Sequence, residues 1–254
     1  MGVKLEEDLV YRLLLAVDIQ GYSRLTARDQ LAAQHDLAAV LDRAADAAGM
    51  RRADWSEQVG GDGELAMLPA GTAPAVVAGD FVLGFEAALR EVNAARAAAV
   101  RDAVERHDPA RGVPAFGDPR LRVRLALHHG TLTAGPFGPA GDAPVVVQRL
   151  LDSAPLRRLL DDPRRDLAVV VSDAMFADVV RSGFCSLPES AFQPVRVTAK
   201  GAVFRGHLLT RLPEAGRARP VREGRRRASE GGPPGGSPQL TLLTGVGGRG
   251  DGFG

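Results

Sequence analysis

Two aspartates stand at positions where carboxylates can bind a metal ion. Asp18 comes near the end of the apolar run that begins at Leu9, and Asp62 lies in the glycine-rich stretch Gly60–Glu64. Mg²⁺ takes few protein ligands and completes its coordination with water and phosphate oxygens. The turn after Asp18 leads into a predicted helix, whose first backbone N–H groups favour a polyphosphate. The combination predicts a site for a nucleoside triphosphate with a divalent metal.

Each aspartate, taken alone, also has a structural explanation. An aspartate in a turn after a strand is commonly a helix cap or an Asx turn, and Gly-Asp-Gly is common in hairpins. The functional interpretation therefore depends on Asp18 and Asp62 occurring together, each within its own flanking pattern.

Hydrophobic patterning predicts the elements that position the two aspartates. Residues 9–19 form a nearly continuous apolar run, which is typical of a strand covered on both faces. Thr26 and Asp29 form an N-cap pattern for a helix of roughly six turns that ends near Gly49. Residues 54–69 predict two short strands whose glycine-rich turn would need positive φ.

The rest of the chain continues with helices and strands. A helix is predicted from residue 75 to 107, and Gly84 would allow it to bend. Residues 121–130 predict a half-buried strand with Arg122 and Arg124 on its polar face. The order β-α-β-β-α-β indicates a ferredoxin-like α/β (α+β) fold. The remaining predicted elements are a loop at 131–144, a helix at 145–160, a buried strand at 167–171, a short helix from Ser172 through Val180 and a hairpin at 195–209.

Composition excludes several classes of protein. The 254 residues include 32 Lys and Arg against 31 Asp and Glu, so the net charge of +1 provides no general attraction to nucleic acid or membranes. No apolar run reaches about 18 residues, the length of a membrane span. The acidic N-terminus does not resemble a signal peptide. The single Cys185 excludes an internal disulfide framework. We expect a cytoplasmic protein with neither a membrane nor nucleic acid as partner.

The composition changes near residue 213. We expect one domain at 1–212 and a disordered tail at 213–254, because the tail is rich in Arg, Gly and Pro and has little to bury. Six arginines lie within Arg217–Arg227. Such a cluster can bind acidic partners, but it lacks aromatic side chains for stacking on bases. A solubilising linker is the favoured role.

Three segments, in this order, resemble the class III adenylate/guanylate cyclase catalytic domain. They are Leu15–Ser23, Val59–Gly63 and Val123–Gly130. The similarity continues through Gly141 and Arg149–Asp152, and it covers most of residues 8–212. The resemblance implies a nucleotidyl-cyclase fold that dimerises head to tail, either with itself or with another cyclase-like chain, and binds the nucleotide at the dimer interface.

The resemblance also implies roles for individual residues. Asp18 and Asp62 would hold two Mg²⁺ or Mn²⁺ ions, and Arg149 matches the arginine that neutralises the transition state. The implied cofactor-binding residues are Ile19, Gly21, Tyr22, Ser23 and Gln58.

Three positions depart from the family pattern. Gln58 replaces the purine-reading lysine, the base-reading aspartate would fall near Gly138, and Val145 replaces an asparagine of the transition state. Valine cannot donate a hydrogen bond, and loss of such a donor costs on the order of 10²–10³ in rate.

These departures leave three functions open. The chain could be a weak or altered-specificity cyclase, or a pseudo-cyclase that binds nucleotide and regulates a partner. A non-catalytic dimerising scaffold that acts through its basic tail is the alternative. The degenerate nucleotide-signalling module is favoured, because the metal-binding aspartates are present.

Other chemically suggestive residues have structural explanations. His128 and His129 are adjacent on a predicted strand and should point to opposite faces, so both cannot easily reach one ion. His35 is expected on a helix surface and Cys185 in the core. Gly60–Glu64 is also similar to the signature loop of diguanylate cyclases, but the rest of that family's pattern is missing.

Overall fold

The computed structural model describes residues 8–105 and 120–212. The strands are β1 (Val10–Ile19), β2 (Ser56–Val59), β3 (Gly63–Met67), β4 (Val123–Gly135), β5 (Gly138–Ala140), β6 (Leu167–Ser172), β7 (Phe192–Ala199) and β8 (Ala202–Leu209). The helices are α1 (Ala27–Ala47), α2 (Pro74–Val76), α3 (Val82–Glu105), α4 (Asp142–Leu151), α5 (Ala154–Leu159) and α6 (Asp173–Met175). The predictions for the N-terminus, for the last two residues of the helix at 75–107 and for the tail at 213–254 lie outside the described residues.

The strands form one mixed sheet in the order β2-β3-β1-β4-β6-β8-β7, with β5 paired to β4. Strand β1 lies antiparallel between β3 and β4, and β4 is parallel to β6. The four-strand part β2-β3-β1-β4 has the ferredoxin-like order that the βαββαβ sequence of elements predicts. The predicted fold class is confirmed.

Strand β1 is buried on both faces. Leu13, Leu15 and Val17 pack in the core that includes α1 and α3, whereas Leu14 and Ala16 pack in the core that includes α4 and α5. A strand between two helical layers needs apolar side chains on both faces. This burial explains why the run at 9–19 is continuous rather than alternating.

Helix α1 begins and ends as predicted. The Thr26 side chain accepts a hydrogen bond from the Asp29 backbone N–H, and Gly49 has φ of 67° just after the last turn. The left-handed conformation at Gly49 is the common helix ending in which glycine carries no steric penalty. No helix within residues 8–105 or 120–212 combines the length and apolar character needed to cross a membrane.

Two elements differ from their predictions. Residues 131–140, predicted as part of a loop, continue β4 and form a hairpin with β5. The helix predicted at 145–160 is divided into α4 and α5, because the Ser153 side chain accepts from the Leu156 N–H and starts a new helix.

The long helical segment is irregular at Val77–Phe81, where a π-helical turn precedes α3. Gly84, where the sequence allowed a bend, has another role. A Cβ at Gly84 would lie 3.0 Å from the Ala47 Cβ, so this glycine lets α3 approach α1 closely.

Candidate functional site

The pairing of β1 with β3 brings Asp18 and Asp62 to the same end of the sheet. Asp18 lies opposite Gly63, and the Ile19 N–H donates to the Asp62 carbonyl over 2.8 Å. A Cβ at Gly63 would lie 1.8 Å from the Val17 carbonyl oxygen, so only glycine allows the strands to approach this closely here. The prediction that the glycine-rich turn needs positive φ was wrong, because no hairpin glycine has positive φ. Gly63 is required because there is no space for a side chain between β3 and β1.

Asp18 is buried and paired. Only 8% of the residue is exposed, and one carboxylate oxygen, Oδ2, accepts a hydrogen bond from the Arg124 guanidinium. Arg124 also donates to the Leu151 carbonyl over 3.4 Å, at the end of α4. The prediction of a half-buried β4 was wrong, because α4 packs on the face that carries Arg124. The other Asp18 oxygen, Oδ1, is buried with no hydrogen-bond partner in the part of the chain that the structure describes.

Arg124 is the site residue that sequence reasoning missed. It lies directly opposite Asp18 in the antiparallel pairing of β1 with β4, although the two are 106 positions apart. The register of this pairing is the signal that could have revealed Arg124 from the sequence. Once residues 10–19 are aligned with residues 123–132, the carboxylate and the guanidinium face each other.

Burial raises the pKa of Asp18 from its ordinary value to about 6, although the Arg124 guanidinium acts in the opposite direction. The Asp62 carboxylate raises this pKa further, so the two acids interact electrostatically. We call Asp18 and Asp62 the acidic pair.

The acidic pair consists of carboxylates, the ligand type that Mg²⁺ and other hard divalent cations prefer. It offers two hard oxygen ligands, one of which, Asp18 Oδ1, lacks a partner in the described ranges. No group of three or more His, Cys, Asp or Glu side chains within residues 8–105 and 120–212 could hold a metal. Any ion at the acidic pair would therefore take its other ligands from water and phosphate. The Arg124 guanidinium beside Asp18 also suits phosphate oxygens.

The turn after Asp18 is tightly constrained. Gly21 has φ of 76°, and Tyr22–Arg24 form a 3-10 turn that leads into α1. Of the predicted cofactor-binding residues here, Ile19 is buried in the core with its N–H already bonded to Asp62. Gly21 and Ser23 are exposed and Tyr22 is half-buried, so they remain accessible to a ligand.

Gln58 contacts the β4–β5 hairpin. Its amide Nε2 donates to the Phe137 carbonyl over 3.1 Å. A Cβ at Gly138 would lie 2.5 Å from the Gln58 Oε1, so the glutamine occupies the space that a side chain at 138 would need. The structure thus brings together the two positions that the resemblance associates with base recognition.

Val145 and Arg149 lie on α4. Val145 is 47% exposed and Arg149 is half-buried. We call Gln58, Gly138, Val145 and Arg149 the second group. No hydrogen bond or ion pair formed within the described ranges joins Gln58 or Arg149 to the acidic pair.

His128 and His129 point to opposite faces of β4, as predicted. His128 Nδ1 is hydrogen-bonded to Ser172 Oγ over 2.7 Å, whereas His129 is hydrogen-bonded to the Tyr11 hydroxyl from the other face of β4. Cys185 packs against the main core.

Comparison with known proteins supports the fold. No protein-family model matches the sequence, and neither does any curated protein. The structure of the guanylyl cyclase Cya2 aligns with a TM-score of 0.52 at 14% identity, covering 84% of this chain and 98% of that one. An adenylate/guanylate cyclase/hydrolase from Silicibacter pomeroyi aligns with a TM-score of 0.51 at 20% identity, covering 82% and 99%.

This chain has the nucleotidyl cyclase fold. The predicted resemblance is therefore confirmed at the level of the fold. Both aligned cyclase structures are covered almost completely, so the cyclase fold accounts for most of the chain.

Proposed function

We propose that the protein is a nucleotide-signalling module that binds a nucleoside triphosphate with divalent metal at the acidic pair. The observation that carries this proposal is the buried Asp18 Oδ1, which has no hydrogen-bond partner in the described residues and belongs to a carboxylate that interacts electrostatically with Asp62. A buried carboxylate oxygen without a partner is costly, and a bound cation would compensate that cost.

The residues around the acidic pair have complementary roles. Asp18 and Asp62 would hold two Mg²⁺ or Mn²⁺ ions, which when bound would acidify the ribose 3′-hydroxyl and neutralise the triphosphate. Arg124 would donate to phosphate oxygens, because its guanidinium already lies at Asp18. The exposed backbone at Gly21 and Ser23 would line the triphosphate.

Arg149 and Gln58 would act on a nucleotide held by another chain. Within one chain, neither forms a hydrogen bond or ion pair with the acidic pair in the described ranges. A complete site therefore needs a second copy or a related cyclase-like chain. Both aligned structures are named as cyclases, which supports a nucleotide as the ligand.

Turnover to a 3′,5′-cyclic nucleotide is expected to be slow. Val145 has no hydrogen-bond donor, and Gln58 is already engaged with Phe137. Loss of one transition-state donor costs on the order of 10²–10³ in rate. A regulatory role, in which nucleotide binding rather than product formation is the signal, fits these residues.

Calorimetry with Mg²⁺ or Mn²⁺ and each of the four nucleoside triphosphates tests the proposal. We expect metal-dependent binding of at least one triphosphate, abolished in Asp18→Ala and in Asp62→Ala. Asp46→Ala, which removes an exposed carboxylate from α1, is the control and should bind like the parent. Chromatography then separates a slow cyclase from a regulatory binder by the presence of the cyclic product.

Two results would contradict the proposal. Retained affinity in both alanine variants would refute the metal assignment. Absence of binding to any of the four triphosphates would leave the alternative, a dimerising scaffold that acts through the basic tail.

A further inference from the structure

We propose that Gln34 is a positioning residue that holds Asp62 in place for metal binding. This inference rests on the proposed function, because it assigns a role at the same acidic pair. Gln34 is exposed on α1, in neither of the buried cores, and it joins the two loops that carry the site.

The Gln34 side chain contacts both loops. Its Nε2 donates to the Tyr22 hydroxyl over 2.7 Å and to the Gly61 carbonyl over 2.7 Å. A side-chain amide has two N–H donors, so both bonds can form at once. Gln30, one helical turn earlier, donates to the Tyr22 carbonyl over 3.2 Å and fixes the same turn.

The Asp62 side chain has no bond of its own that fixes its position, so it depends on the bonds that hold the backbone of the turn. The residue is exposed, and no hydrogen bond or ion pair of its side chain occurs in the described part of the chain. Its position follows from the backbone on either side, where the Ile19 N–H donates to the Asp62 carbonyl and Gln34 donates to the Gly61 carbonyl. Gly60 closes the turn by donating to the Gly63 carbonyl over 2.7 Å.

The hairpin is rich in glycine, which makes an external contact important. Glycine loses more conformational freedom on ordering than any other residue, so a turn with Gly60, Gly61 and Gly63 is costly to hold in one conformation. Groups that orient a metal ligand without touching the ion typically contribute 10- to 100-fold to metal affinity. Because Gln34 is exposed, we expect the lower end of this range.

The test uses the full chain and Mn²⁺ alone, with binding followed by electron paramagnetic resonance. We expect Gln34→Ala to weaken Mn²⁺ binding by about tenfold. His35→Ala, at the next exposed position of α1, should leave the affinity unchanged. Alanine is a strong helix former, so the thermal unfolding midpoint of Gln34→Ala should match that of the parent.

A double variant separates positioning from general damage. In the Asp62→Ala background the positioned ligand is gone, so adding Gln34→Ala should not change the residual Mn²⁺ affinity. Tyr22→Phe removes one of the two acceptors and should weaken binding less than Gln34→Ala does.

The possible failures are distinct. If the parent chain does not bind Mn²⁺, the proposed function fails and the role of Gln34 fails with it. If the parent binds and Gln34→Ala binds equally well, only the role of Gln34 is refuted. If Gln34→Ala weakens binding again in the Asp62→Ala background, its effect is structural and the positioning role is also refuted.

Discussion

The acidic pair and the second group differ in how the fold holds them. Asp18 is buried on a central strand and paired with Arg124. Asp62 is tied to the same strand by the hydrogen bond from the Ile19 N–H to its carbonyl. Gln58 lies on the exposed outer strand β2, and Val145 on the exposed face of α4. Both members of the acidic pair match the pattern of the resemblance, whereas Arg149 is the one member of the second group that does.

This difference indicates which changes a cyclase fold can absorb. A substitution at Val145 or Gln58 alters an exposed side chain, and such changes usually cost little stability. A substitution at Asp18, by contrast, disturbs a buried ion pair on a central strand. The second group can therefore change function while the fold and the acidic pair stay intact.

The largest effect is expected for Gly63→Ala. The new Cβ would collide with the Val17 carbonyl at 1.8 Å and push β3 away from β1, which should lower the free energy of unfolding by about 3 kcal/mol. It should also abolish metal-dependent triphosphate binding, because Asp62 moves with β3. Urea denaturation and calorimetry measure the two effects.

Gly60→Ala is the matched control in the same hairpin. Its Cβ would make only an ordinary contact, 3.4 Å from the Gly63 carbonyl oxygen. Similar losses in the two variants would show that the hairpin tolerates no side chain anywhere, and would contradict the specific role of Gly63.

The second prediction concerns pH and His128, which lies on β4 on the α4 side of the sheet. Burial lowers the pKa of His128 to about 4, below the value of 6.5 expected in the unfolded chain. The unfolded state therefore binds more protons between these values. The His128 side chain therefore does not lower the free energy of unfolding above about pH 6.5. As the pH falls from 6.5 towards 4, its protonation in the unfolded state should lower that free energy by on the order of 2 kcal/mol.

Measuring the unfolding free energy against pH for the parent and for His128→Gln tests this. Only the difference between the two curves is informative, because the raised pKa of Asp18 changes stability in the opposite direction over part of the same range. Parallel curves would contradict the prediction. A parent curve that falls more steeply than the His128→Gln curve between pH 6.5 and 4 would confirm that protonation of His128 destabilises the fold.

The third prediction concerns a variant that returns a hydrogen-bond donor to position 145 in the second group. Val145→Asn places an amide at an exposed position of α4, and formation of cyclic nucleotide should rise by about tenfold. Val203→Asn makes the same substitution at a valine that is 43% exposed on β8, and it should have no effect. Unchanged product formation in Val145→Asn, with triphosphate binding intact, would mean that residue 145 does not limit turnover.

The smallest effect is expected for Gln58→Lys. A glutamine amide can donate or accept, whereas a lysine ammonium only donates. Guanine presents an acceptor at O6 where cytosine presents an amino donor, so the variant should favour GTP over CTP by about fivefold relative to the parent. Competition calorimetry measures the ratio, and Gln193→Lys on β7 is the control. An unchanged ratio of GTP to CTP affinity would show that Gln58 does not take part in base recognition.

Local patterns were sufficient to predict much of the fold. The apolar run at 9–19, the Thr26 N-cap and the hairpin around Asp62 occur as expected. These features depend on burial periodicity and on hydrogen bonds between residues a few positions apart. The boundary between α4 and α5 was missed, because the helical spacing of apolar residues continues past Ser153.

The sequence by itself determined most of the elements, their order and the two acids, because hydrophobic periodicity, capping and turn chemistry act over short stretches of chain. Only the tertiary structure decided that Arg124 meets Asp18, that Gly63 is needed for space and that Gln34 reaches Gly61. Each of these contacts depends on strand register or on helix placement, which arise from the packing of the whole sheet and leave no local signal.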